Sequence, residues 1–242
     1  MAEEQNRRRK RFARLRIHYT WIAVIIFVTA SVWTEFSTAH SLPQRLLLGL
    51  IAALLFLISA ILRAYALVLV AASKGVPIKN FTVFAIGTVY NIEAADTTPS
   101  FESLMGVAGL LSNLIMGGLF FLAYEVLAST GSVMVQVVVQ WLAFSWFMVS
   151  LLGFLPGLPM ESGRIVGALV WKATKKYEWT TRFMGWIGWS FGVLMAVGGV
   201  VDFIMTREWF AAMLLILAGL IMQNAATHSR RLGKWVQEKL EI

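Results

Sequence analysis

The chain has 242 residues, of which 58% are hydrophobic and 14% charged, with a mean hydropathy of +0.71. A soluble domain carries about 25% charged and about 45–50% apolar residues, so this composition excludes one and implies several membrane spans. The net charge of +8 gathers at the ends of apolar runs, as a topology signal does, which excludes a nucleic-acid module; the lack of cysteine excludes disulfides and thiolate chemistry.

Residues 1–17 are polar and basic, with Arg7-Arg-Arg-Lys-Arg11 followed by Arg14 and Arg16. They are expected to form a cytoplasmic anchor that also touches anionic lipid headgroups. A first span is expected from Tyr19 to Trp33, with Trp21 and Trp33 as interfacial belts. A second runs from Leu46 to Ala72 and carries one charge, Arg63, near its middle. A charge at mid-bilayer depth costs roughly 2.5–3.5 kcal/mol on insertion scales, so Arg63 is a functional-site candidate.

Residues 78–92 are β-branched and aromatic, broken by Gly87, and read as a β-hairpin after the second span. A third span, Leu104 to Leu127, holds Gly106, Gly109, Asn113, Gly117 and Gly118, small residues that let helices approach closely. A fourth, Val133 to Leu155, runs into Gly153-Phe-Leu-Pro-Gly-Leu-Pro-Met-Glu-Ser-Gly-Arg164, whose prolines and glycines exclude a continuous helix. Such irregular backbone at membrane depth survives only when buried or lining a cavity, so a re-entrant loop is expected. A short helix, Ile165 to Trp171, and a basic connector, Lys172 to Arg182, follow. The fifth span, Phe183 to Ile204, contains the G-x-x-x-G of Gly188 and Gly192, and the sixth covers Trp209 to Met222.

The expected architecture is thus an all-α polytopic membrane protein of about six transmembrane helices, with a small β-hairpin and a re-entrant loop. Its divisions are a basic segment at 1–17, a membrane domain at 18–226 and a basic amphipathic tail at 227–242. Every lysine and arginine except Arg45, Arg63 and Arg207 falls in segments that this layout places in the cytoplasm, together with both termini. A prokaryotic cytoplasmic membrane is the expected location. Of the ten tryptophans, Trp141, Trp146, Trp186 and Trp189 are not explained by interfacial belts and are expected to face a partner or lipid.

Three landmarks together resemble the site-2 protease family of intramembrane zinc metalloproteases. Ala71-Ala-Ser-Lys-Gly-Val-Pro77 resembles the segment after that family's zinc helix, and 84–93 its strand pair. Gly109 and Asn113 fall on its glycine- and asparagine-bearing third span, where Leu110 replaces a proline. Pro156, Pro159, Gly163 and Arg164 fit its re-entrant motif, with Gly153 and Ser162 departing from it.

The resemblance implies an H-E-x-x-H in the second span, two imidazoles one turn apart flanking a general-base glutamate. This chain reads Arg63-Ala64-Tyr65-Ala66-Leu67 there, and Glu161 aligns with the family's third ligand, an aspartate. Its three histidines, His18, His40 and His228, lie far apart in sequence. The resemblance therefore implies an inactive homologue, a pseudoprotease, with no catalytic residues, metal or cofactor. Arg63 and Glu161 are expected to form a buried ion pair in place of the metal. Tyr65 and Asn113 are expected in ordinary helix packing.

The implied role is an accessory or scaffolding subunit of a membrane complex, or a binder of a transmembrane client. Phe81, Val83, Gly87 and Val89 are then the strand residues expected to face the client, by strand addition. The alternative is a small-solute or ion transporter using the polar remnant of the site.

Overall fold

The computed structural model describes residues 13–35, 41–76, 78–84, 87–92, 97–130 and 132–238. The Arg7–Arg11 cluster with its expected lipid contact, His40 and Pro77 lie outside them. In chain order the elements are β1 (Arg14–Ile17), α1 (Thr20–Glu35), α2 (Leu42–Ser73), β2 (Asn80–Phe84), β3 (Gly87–Asn91), α3 (Pro99–Thr130), α4 (Val133–Gly153), α5 (Glu161–Thr174), α6 (Tyr177–Thr206) and α7 (Trp209–Glu238).

Among the described residues five helices, α2, α3, α4, α6 and α7, are long and apolar enough to cross a membrane, where about six were expected. The first expected span corresponds to α1, which is apolar and has 16 described residues, against the roughly 20 that a bilayer core requires. The segment expected as a tail, 227–242, lies within the described residues up to position 238. Residues 227–238 continue α7, and Ala225, Ala226 and Ser229 are buried across the expected boundary.

Most of the exposed side chains of the spans are large and apolar. Leu54, Ile58, Leu62 and Leu69 line one side of α2, and Leu111, Ile115, Leu119 and Leu122 one side of α3. The opposite face of α2 is a stripe of Ala52, Ala53, Phe56, Ala60, Arg63, Ala64, Leu67 and Ala71 at helical spacing. Small side chains on that stripe let neighbouring helices close on the backbone, the usual device where lipid tails supply no hydrophobic drive between helices.

The sheet has three strands in the order β1-β2-β3. β2 pairs antiparallel with β3 and parallel with β1, with Arg14 opposite Asn80 and Ile17 opposite Val83. Residues 14–17, the end of the basic segment at 1–17, thus belong to the sheet. The sequence signal is the alternation in Arg14-Leu-Arg-Ile17, four residues too few to stand out against the basic run before them.

Two tryptophans depart from expectation. Trp21, expected at the interface, is 2% exposed and its indole N–H donates to the Val83 carbonyl at 3.1 Å. Trp146, expected to face a partner or lipid, is equally buried and donates to the Ser59 hydroxyl at 3.0 Å. Both rings surround Phe56, with centroids 5.6 and 5.5 Å away. A buried indole N–H needs an acceptor, and each here finds one.

Candidate functional site

Residues 154–160 form the irregular loop between α4 and α5. Pro156 and Pro159 lack the N–H a helix would use, so the chain turns and restarts with Glu161 in the first turn of α5. The loop is fastened to α6 by backbone contact. The Leu158 N–H donates to the Met184 carbonyl at 3.0 Å, and a Cβ on Gly188 would lie 1.9 Å from the Leu158 oxygen. A Cβ on Gly163 would likewise lie 2.3 Å from the Gly157 carbonyl. Glycine is required at both positions because backbone occupies the space a side chain would take.

This fastening brings Glu161 to Arg63 of α2. The guanidinium Nη2 donates to Glu161 Oε1 and to the Gly109 carbonyl of α3 at 3.2 Å. Each residue is 5% exposed. Arg63 lies ten residues before the end of α2, about 15 Å along its axis. Glu161 stands at a helix N-terminus, where the backbone dipole favours a carboxylate. Room for the pair comes from glycines: a Cβ on Gly109 would meet Glu161 Cγ at 2.4 Å, and one on Gly153 would meet Glu161 Oε2 at 2.9 Å.

The pair is not fully satisfied. Glu161 Oε2, Arg63 Nε and both polar atoms of Asn113 have no hydrogen-bond partner. Asn113 is fully buried, and its Nδ2 lies near the same unfilled Cβ position of Gly153 as Glu161 Oε2 does. Buried polar groups left this way are where ordered water binds. Asn113 thus lies beside the pair, while Tyr65 packs edge-on to Phe81 at 5.1 Å.

Sequence reasoning missed a second cluster beside the first. Arg164 Nε donates to Glu102 Oε2 at 3.0 Å, and its guanidinium lies over the Tyr90 ring at 5.3 Å. Burial pushes the Tyr90 phenol above its usual range against the opposing charges of Arg63 and Arg164, so it stays protonated at neutral pH. These residues, with Val89 of β3 and Leu158 and Pro159 of the loop, line a cleft of about 100 Å³.

Of the strand residues expected to face a client, Phe81 and Val83 are each 1% exposed and belong to the core. They sit on β2, the central strand, whose two edges are already paired. Val89 lines the cleft, and Gly87 lies beside the loop, its Cβ position 3.9 Å from the Pro159 carbonyl.

A catalytic zinc takes three protein ligands and leaves one position open. A guanidinium has no lone pair to give, the Leu67 and Ala64 side chains have no donor atom, and Glu161 alone supplies one carboxylate. Among the described residues no three His, Cys, Asp or Glu side chains converge. The residues present at this position do not fit a zinc ion.

No protein-family model matches the chain. It is 24% identical over 232 residues to a Synechocystis protein named "Putative zinc metalloprotease", covering 93% of this chain and 59% of that one. It is 26% identical over 162 residues to "Putative zinc metalloprotease Rip3" of Mycobacterium tuberculosis, covering 65% of this chain and 41% of that one. The chain thus spans well under two thirds of the length of either relative. In structure it matches the site-2 protease of Methanocaldococcus jannaschii with a TM-score of 0.67, at 22% identity and 90% coverage of both chains. The fold is that of a site-2 protease.

These comparisons correct one inference. The motif substitutions imply that the chain is not an enzyme, whereas proteins similar over most of its length carry zinc metalloprotease names. The donor set at Arg63 and Glu161 bears on a metal at that position and on nothing wider.

Proposed function

We propose that this membrane protein of site-2 protease fold holds an extended segment of another membrane protein along the outer edge of β3. The carrying observation is that edge. Among the described residues no strand pairs with it, and Thr88, Val89 and Tyr90 open onto the cleft facing Leu158, Pro159 and Gly163. An unpaired edge offers a row of N–H and C=O groups to an incoming strand, and the cleft supplies side-chain contacts. Relatives named as proteases support a polypeptide as the occupant. The protein then acts as a client binder or as a subunit of a membrane complex. The transport reading has no comparable observation behind it, since Arg63 and Glu161 are both buried.

On the positive-inside rule, the same reading takes the sheet to face the cytoplasm. Arg14, Arg16, Lys74, Lys79, Lys175 and Lys176 lie at that end of the helices, and Arg45 and Arg207 at the other.

A photo-crosslinking amino acid at Val89 tests the client in native membranes, with lipid-facing Leu62 as control. Discrete protein adducts from position 89 and none from 62 are expected. Identical adducts at both positions would discard the proposal. Because the chain has no cysteine, single cysteines at Lys175 and Arg207 report orientation through a membrane-impermeant maleimide. Only position 207 is expected to label in intact cells.

A further inference from the structure

The fold brings together two histidines that stand 210 residues apart in sequence. His18, between β1 and α1, stacks on Phe84 with ring centroids 4.2 Å apart, and His228 of α7 approaches the same ring at 5.8 Å. They open onto a groove of about 470 Å³, within the range of small-molecule sites. Its remaining walls are Tyr19, Trp189, Leu220, Gln223, Asn224 and Thr227.

The groove is polar at one end and apolar at the other. Among the described residues no carboxylate lines it. The Thr20 N–H donates to His18 Nδ1 at 3.4 Å, and the Thr20 hydroxyl lies 3.2 Å from the same nitrogen. Arg230 Nη2 donates to the Thr227 hydroxyl at 3.0 Å, while its guanidinium lies 4.3 Å over Trp186, which in turn contacts Trp189. Arg14 and Arg16 are exposed on β1 just before His18. Two imidazoles, an amide pair, a hydroxyl and a nearby guanidinium with no acid among them form a site for an anion. Leu220 lies eight residues before His228, about 12 Å down α7 toward the membrane interior, and is 53% exposed.

We propose that this groove binds a membrane phospholipid, its phosphate between His18 and His228 and an acyl chain running past Trp189 and Leu220. The phosphate suits the imidazole end, and the acyl chain explains the apolar end, which free phosphate would not need. Burial and the neighbouring His228 both hold the His18 imidazole below its usual pKa. An anion between the rings offsets the second effect, so occupancy and protonation support each other.

Native mass spectrometry of the detergent-purified full chain, supplied with phosphatidylglycerol, tests the site. The wild type is expected to retain one lipid, and His18→Gln with His228→Gln to lose at least tenfold in retention at unchanged melting temperature. Equal retention by both would overturn the proposal. Should the double variant fail to fold, the wild type suffices. It has three histidines, and the single variants His40→Gln and His228→Gln assign the spectrum by subtraction. Phosphatidylglycerol is expected to move the His18 titration midpoint to higher pH. An unmoved midpoint overturns the site, and an equal movement with inorganic phosphate alone overturns the lipid assignment.

Discussion

Arg63 of α2 and Glu161 of α5 are joined by a hydrogen-bonded ion pair, 98 residues apart in sequence. Removing one partner leaves the other charged and unpaired in a low-dielectric interior, which typically costs about 3–5 kcal/mol. Arg63→Ala and Glu161→Ala are each expected to destabilise the fold by that amount. Arg63→Met combined with Glu161→Leu is expected to cost much less than the two singles added. Reversible unfolding in mixed micelles measures the cycle, and singles within about 0.5 kcal/mol of wild type would contradict a structural role for the pair.

The re-entrant loop is positioned by α6 through Gly188. A methyl group there would collide with the Leu158 carbonyl, so Gly188→Ala is expected to displace the loop and cost about 1–3 kcal/mol, the usual range for overpacking. Gly198 lies on the same helix with nothing within 4 Å of its Cβ position. Gly198→Ala is expected to be neutral or to stabilise by about 0.5–1 kcal/mol through helix propensity. Melting temperatures of the two variants separate steric contact from the general effect of adding a methyl.

Trp146 and Ser59 tie α4 to α2 beside the ion pair. Trp146→Phe and Ser59→Ala are each expected to cost about 0.6 kcal/mol or somewhat more, the scale of interhelical hydrogen bonds in membranes. The double variant should cost less than the sum, as residues sharing one bond do. Strict additivity in unfolding experiments would show the bond to be energetically silent.

His18 sets a pH dependence whose sign follows from its lowered pKa. The unfolded chain takes up a proton near pH 6.5, while the folded chain still resists it. The unfolded state therefore binds more protons just below that pH, and stability falls on acidification. His18→Gln is expected to flatten the decline of melting temperature between about pH 7 and pH 5.5. An identical decline in the variant would assign it to other groups.

The strands show where sequence reading is strong and where it stops. Residues 80–91 are legible as a hairpin because β-branched and aromatic residues flank a glycine. β1 was masked by the basic run beside it, and its parallel pairing with β2 spans a whole helical hairpin, a relationship no local pattern encodes. The burial of Phe81 and Val83 on a central strand is likewise a matter of strand order and packing, which no local pattern encodes.

The sequence by itself determined the membrane class, the mostly helical fold with its small sheet, and which side chains stand at positions 63, 64, 67 and 161, because hydropathy, β-branching and side-chain identity are local properties. Tertiary structure alone decided which distant groups meet. It set Glu161 against Arg63, left Asn113 unsatisfied beside them, coupled the loop to α6 through Gly188, and closed His18 and His228 on Phe84. Periodicity tells a helix which face to bury. Only packing, through the contacts that small residues permit, chooses what it is buried against.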